Sequence, residues 1–62
     1  MKEKFLQFMI DNSRGIETHD EYAIGKTLGL NREKTDQIIG KLLAEGRIFE
    51  KSFGLCNYGV NN

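Results

Sequence analysis

The segment GLNREKTDQIIGKLLAEGRI, residues 29–48, contains a turn, a helix and the entry to a strand. Gly29 suits the left-handed backbone that closes a helix. Leu30 follows, and Asn31 is a strong N-cap for a new helix. From there Thr35, Ile38, Ile39, Leu42 and Leu43 recur at intervals of three and four, which predicts an amphipathic helix with one buried stripe. Gly46 ends it as the residue after the C-cap, and Ile48 opens a new apolar piece. Only Gly29, Leu30 and Asn31 separate this helix from the preceding one. A connector that short forces a sharp crossing, with Leu30 held between the two helices.

Upstream, Thr18-His19-Asp20-Glu21 has the spacing of a capping box, in which the Thr18 hydroxyl and the Glu21 carboxylate would each accept from the other's amide. It predicts a helix from His19 through Tyr22, Ala23 and Lys26 to Leu28. Further upstream, Phe5, Leu6 and Met9 form a helical stripe within Lys2–Asn12, with Phe8 and Ile10 widening it. Asp11-Asn12-Ser13-Arg14-Gly15 should stop that helix, with Gly15 as the residue most tolerant of positive φ, and Ile16-Glu17 should be extended. Downstream, residues 47–51 and 56–60 are strand candidates around Ser52-Phe53-Gly54-Leu55, which predicts a hairpin whose register Gly59 leaves open.

Sixty-two residues make one small domain, 1–62, that buries only about 60% of its unfolded surface. Nine basic and nine acidic side chains cancel, which excludes binding driven by net charge alone. The apolar runs are far too short to span a bilayer. No basic flank leads into an apolar stretch with a small-residue cleavage site, which points away from secretion. The lone Cys56 cannot form an internal disulfide and fits a reducing, cytoplasmic setting. One histidine, one cysteine and no convergent motif are poor material for an enzyme.

The order helix, short extended piece, helix, tight turn, helix, hairpin resembles the winged helix-turn-helix superfamily. The residues that carry the resemblance are Ala23 and Leu28, Gly29-Leu30-Asn31, and Ile39, Leu42, Gly46 and Ile48. It implies a mainly α fold of three helices plus a small β-hairpin wing. It also implies that helix 31–45 enters the major groove of double-stranded DNA while the wing touches the backbone. The groove-facing positions are then Arg32, Glu33, Lys34, Gln37, Gly40, Lys41 and Ala44, with Asp36 at the edge. Arg32 suits guanine, Gln37 adenine, and Lys34 and Lys41 phosphates. Arg47 and Lys51 on the first wing strand would add backbone contacts. A narrower likeness, to winged-helix domains that bind Z-form nucleic acid, fails for want of the asparagine, tyrosine, prolines and tryptophan they use. Asp36 and Gly40 stand on the helix instead.

Glu33 and Asp36 oppose DNA unless each accepts from a cytosine amine or pairs with Arg32 or Lys41. They and the neutral charge favour an alternative, a winged-helix protein–protein module without nucleic acid. Phe53, at the tip of the presumed wing, and Phe8, at the edge of the first helix, are candidate partner contacts and make a homodimer plausible. No cofactor is implied. His19 lacks the companions a metal site needs. Cys56 reads as an apolar filler and Asp20-Glu21 as acids favouring a helix N-terminus. The sequence thus predicts a small dimeric transcriptional regulator.

Overall fold

In the third helix the side chain of Asn31 accepts from the Lys34 amide at 2.8 Å, and helix formation follows directly. The computed structural model describes residues 1–61 and contains α1 (Lys2–Asn12), α2 (Glu21–Thr27), α3 (Arg32–Ala44), β1 (Ile48–Glu50) and β2 (Tyr58–Val60). The fold is mainly α, with one two-stranded antiparallel hairpin. Its register pairs Ile48 with Val60, Phe49 with Gly59 and Glu50 with Tyr58. No helix among the described residues is long and apolar enough to cross a membrane.

Both helix ends in the central segment are closed by glycine. Gly29 has φ +79°, and the Gly29 and Leu30 amides donate back to Lys26 and Gly25 carbonyls at 3.0 and 2.8 Å. Gly46 has φ +71°, and the Gly46 and Arg47 amides donate to Leu43 and Leu42 carbonyls at 3.0 Å. Each is a Schellman motif that satisfies carbonyls the helix leaves orphaned. The first helix ends differently. Ser13 caps it in right-handed geometry, its hydroxyl donating to the Ile10 carbonyl at 2.8 Å, and Gly15 is not at positive φ.

The capping box does not form. Asp20 is the N-cap of α2, its carboxylate accepting from the Ala23 amide at 2.8 Å, so the helix starts at Glu21 instead of His19. The Thr18 and His19 amides donate instead to Asn12 Oδ1 at 3.1 and 3.2 Å, which ties the end of α1 to the start of α2. Glu21 is drawn away altogether: it is buried and serves the hairpin. Its Oε1 accepts from the Asn57 amide at 3.1 Å, its Oε2 from Asn57 Nδ2 at 2.9 Å, and the Cys56 thiol points to it at 3.8 Å. Aspartate caps as well as threonine, so the longer-range demand decides.

The strands are shorter than the sequence suggests, three residues each. Carboxylates compete with the ladder: the Cys56 amide donates to Glu17 Oε1 at 3.2 Å and the Asn57 amide to Glu21. The chain there bends inward, burying Cys56. Residues 16–17 form no strand; Glu17 contributes through its side chain.

The core gathers Phe5, Leu6 and Met9 from α1, Ile24 from α2, Ile38, Ile39 and Leu42 from α3, then Ile48 and Cys56. Thr35 is buried with them, its hydroxyl donating to the Asn31 carbonyl at 2.9 Å. Here α2 lies against α3 across Gly25. A methyl on Gly25 would land on Thr35 Oγ1, with Thr35 Cβ and Cγ2 at 3.1 and 3.2 Å. Gly25→Ala should therefore cost about 1–3 kcal/mol despite the better helix propensity of alanine. Chemical denaturation would read this, and pairing the change with Thr35→Ala should recover part of the loss. An unchanged midpoint in the single variant would mean the two helices separate freely.

Candidate nucleic-acid interface

The buried stripe of α3 faces the core, so helical phase turns Arg32, Glu33, Lys34, Asp36, Gln37, Gly40, Lys41 and Ala44 outward, and all eight are exposed. The structure thus brings Arg32, Lys34, Gln37 and Lys41 together on one face. Two neighbours from α2 join them. Lys26 lies with Tyr22, Arg32 and Asn31 around a shallow hollow at the start of α3. Tyr22 donates its hydroxyl to Asp36 Oδ1 at 2.6 Å, and the Arg32 guanidinium stacks over its ring at 4.4 Å. That hydrogen bond to a carboxylate, above all, raises the phenol pKa above its ordinary value.

Asp36 therefore pairs with neither Arg32 nor Lys41. Tyr22 occupies one of its oxygens and orders Arg32 beside it, leaving the guanidinium edge free to donate. Neither Tyr22 nor Lys26 stood out in sequence. A turn of only three residues was the signal available, since it sets the outer face of α2 beside the first turn of α3.

The two hairpin cations are engaged elsewhere. Arg47 donates to Glu3 on α1 at 2.7 Å, an exposed pair. Lys51 is mostly buried: its ammonium donates to Glu17 Oε2 at 2.7 Å and to the Phe53 carbonyl at 3.0 Å, and lies 4.6 Å over the Phe53 ring. The Lys51 hydrogen bond holds the Glu17 carboxyl below its ordinary value, against the opposing effect of burial. A phosphate contact from Lys51 would require breaking that pair.

The charge of the molecule sums to zero, and three ion pairs take up part of it. Lys2 pairs with Glu45, Arg47 with Glu3 and Lys51 with Glu17. Of the remaining acids, Asp20 caps a helix, Glu21 is buried in hydrogen bonds, Asp36 accepts from Tyr22 and Asp11 from Gln7. Lys4, Arg14, Lys26, Arg32, Lys34 and Lys41 form no ion pair among the described residues, and four of these six cations, Lys26, Arg32, Lys34 and Lys41, lie on α2 and α3. Glu33, on the same face, and Glu50, on the hairpin, are the carboxylates without a partner among the described residues.

The remaining candidates are structural in their surroundings. His19 meets the Phe8 ring edge-on at 5.1 Å, and its Nδ1 lies 2.8 Å from the Thr18 hydroxyl. Phe8 is half-buried against the core, so it offers little to a partner. Phe53 is well exposed. Burial, more than the nearby Glu21 and Glu17, pushes the Cys56 thiol pKa up and keeps it protonated. Among the described residues no group of three or more His, Cys, Asp and Glu side chains is placed to hold a metal ion. No family model, curated protein or solved structure matches this chain.

Proposed function

We propose that this chain is a winged-helix DNA-binding domain, with α2 and α3 as the helix-turn-helix pair, α3 in the major groove and the hairpin as the wing. One observation carries the reading: Lys26, Arg32, Lys34 and Lys41 share one exposed face without an ion pair among the described residues, four cations against Glu33 and the Tyr22-bound Asp36. Arg32, ordered by Tyr22, suits the two acceptors of a guanine edge, and Gln37 suits adenine. Lys26, Lys34 and Lys41 suit phosphates, which position a protein without reading sequence. The unbound oxygen of Asp36 suits a cytosine amine. Lys51 is held in its buried pair, so the wing adds less charge than its composition suggests. The function is regulation through binding, with no catalytic step.

Binding to duplex DNA is expected to depend steeply on salt. With roughly three to four phosphate contacts, affinity should fall by about two decades between 50 and 200 mM salt. Fluorescence anisotropy titrations at several salt concentrations measure this. Lys41→Ala should lower the salt slope by about one for every sequence, whereas Arg32→Ala should cost about tenfold or more only on the preferred site. A flat salt response, with both variants silent, would support a protein–protein module instead, a reading favoured by the exposed aromatic side chains of the hairpin.

A further inference from the structure

Tyr22 of α2 touches both of the charged α3 side chains that suit base edges. Its hydroxyl donates to Asp36 Oδ1 at 2.6 Å, and the Arg32 guanidinium lies 4.4 Å over its ring. Arg32 and Asp36 are four residues apart on one helix, the spacing at which opposite charges pair. No ion pair joins them among the described residues. The packing of α2 explains why Tyr22 arrives at this point. Gly25 seats α2 against Thr35, and Tyr22 lies about one turn before Gly25 while Asp36 follows Thr35. Arg32 and Asp36 are both exposed, and Tyr22 is half-buried beside them.

We propose that Tyr22 is a positioning residue that sets base preference at two places in the DNA site without itself touching a base. This role rests on the DNA-binding reading and names the residue behind its selectivity. A carboxylate four residues from a guanidinium otherwise draws it along the helix. A guanidinium paired with Asp36 cannot present its fork of donors to a guanine. The Tyr22 hydroxyl occupies Asp36, and the Tyr22 ring holds Arg32 by its face, which leaves the N–H edge free. One side chain thus keeps the two charges apart.

The same contact fixes what each side chain offers a base. With Oδ1 committed to Tyr22, Asp36 keeps its other oxygen as an acceptor, which matches the amine donor of cytosine. Arg32 offers parallel donors, which match O6 and N7 of guanine. Four residues advance about 6 Å along a helix, and base pairs stack about 3.4 Å apart. The two side chains therefore reach base pairs about one to two steps apart. A preferred duplex carries a guanine and a cytosine at that separation.

Selection from a randomised duplex library, followed by anisotropy titration of the selected sites, reads the two preferences separately. Tyr22→Phe keeps the ring but frees Asp36 to take Arg32. It should weaken both preferences together, each about twofold to threefold. Arg32→Ala should relax the guanine position alone, and Asp36→Asn should move the other position from cytosine toward adenine. Adding Asp36→Asn to Tyr22→Phe removes the competitor, so it should restore the guanine preference without the cytosine one. The free protein gives a second readout that needs no DNA. The Asp36 hydrogen bond raises the Tyr22 phenol above its ordinary value, against the opposing charge of Arg32. Titration of the labelled Tyr22 ring by nuclear magnetic resonance should show that rise in the parent and its loss in Asp36→Asn. An unshifted phenol in the parent overturns the proposal and leaves the DNA-binding reading standing. So does a selective parent whose Tyr22→Phe variant keeps both preferences. A chain with the shifted phenol that binds no duplex overturns the DNA-binding reading, and the proposal falls with it.

Discussion

Leu42→Ala is expected to leave the domain mostly unfolded at room temperature. Leu42 is completely buried at the centre of the α3 stripe, in one core with Phe5, Ile24 and Ile48. Truncation removes its transfer free energy and leaves a cavity that a close-packed core closes only in part, together about 2–5 kcal/mol. A domain of this size holds about 3–5 kcal/mol in all, so the loss consumes most of its stability. A thermal melt followed by circular dichroism should move down by more than about 10 °C, given roughly 4–8 °C per kcal/mol at this length. A variant melting within a few degrees of the parent would show that the inner face of α3 is wrongly placed. The neighbouring exposed Lys41→Ala should leave the melt nearly unchanged, since it removes no buried contact.

Glu21→Ala is expected to release the hairpin from the helices at a cost of about 2–3 kcal/mol, the scale for hydrogen bonds to a charged acceptor. The carboxylate holds the Asn57 amide and side-chain nitrogen and faces the Cys56 thiol, three donors that alanine leaves unserved. Asn57 is itself exposed and regains water on opening, which keeps the cost below that of a fully buried ion pair. Amide hydrogen exchange should rise most at residues 51–60 and much less in α1 and α3. Glu21→Gln keeps one acceptor oxygen and should fall between parent and alanine. Uniform protection changes in all elements would mean that Glu21 stabilises α2 alone and does not anchor the hairpin.

Helix α1 was legible in its stripe of Phe5, Leu6 and Met9 and in the polar run that stops it, which are local signals, although Ser13 caps it and not Gly15. Helix α3 was equally legible through the Asn31 cap and the three-and-four repeat. Helix α2 was misread at its start, where a valid local pattern at Thr18 and Glu21 lost to a tertiary one. Ile24 is fully buried, yet a seven-residue helix offers too few turns to display the period that would mark it as core. On the candidate interface, the exposure of Arg32, Lys34, Gln37 and Lys41 followed from helical phase alone. The engagement of Lys51 and Arg47 did not, and neither did the contribution of Tyr22 and Lys26.

The amino-acid sequence by itself determined where the helices turn and stop and which stripe of α3 is apolar. Those outcomes depend on φ preference, capping and periodicity within a few residues, as Gly29, Gly46 and Asn31 illustrate. Only the tertiary structure decided which charges find partners. Glu21 meets Asn57 across 36 residues and Glu17 meets Lys51 across 34. Residue type states that a group is ionisable, while its partner depends on how α1, α2 and the hairpin pack. That packing set Lys26 and Tyr22 of α2 beside the Arg32, Lys34 and Lys41 that helical phase turns outward, and it left those cations without ion pairs among the described residues. It also brought Ile16 and Phe53, far apart in sequence, to the lining of one apolar hollow between residues 13–17 and the hairpin.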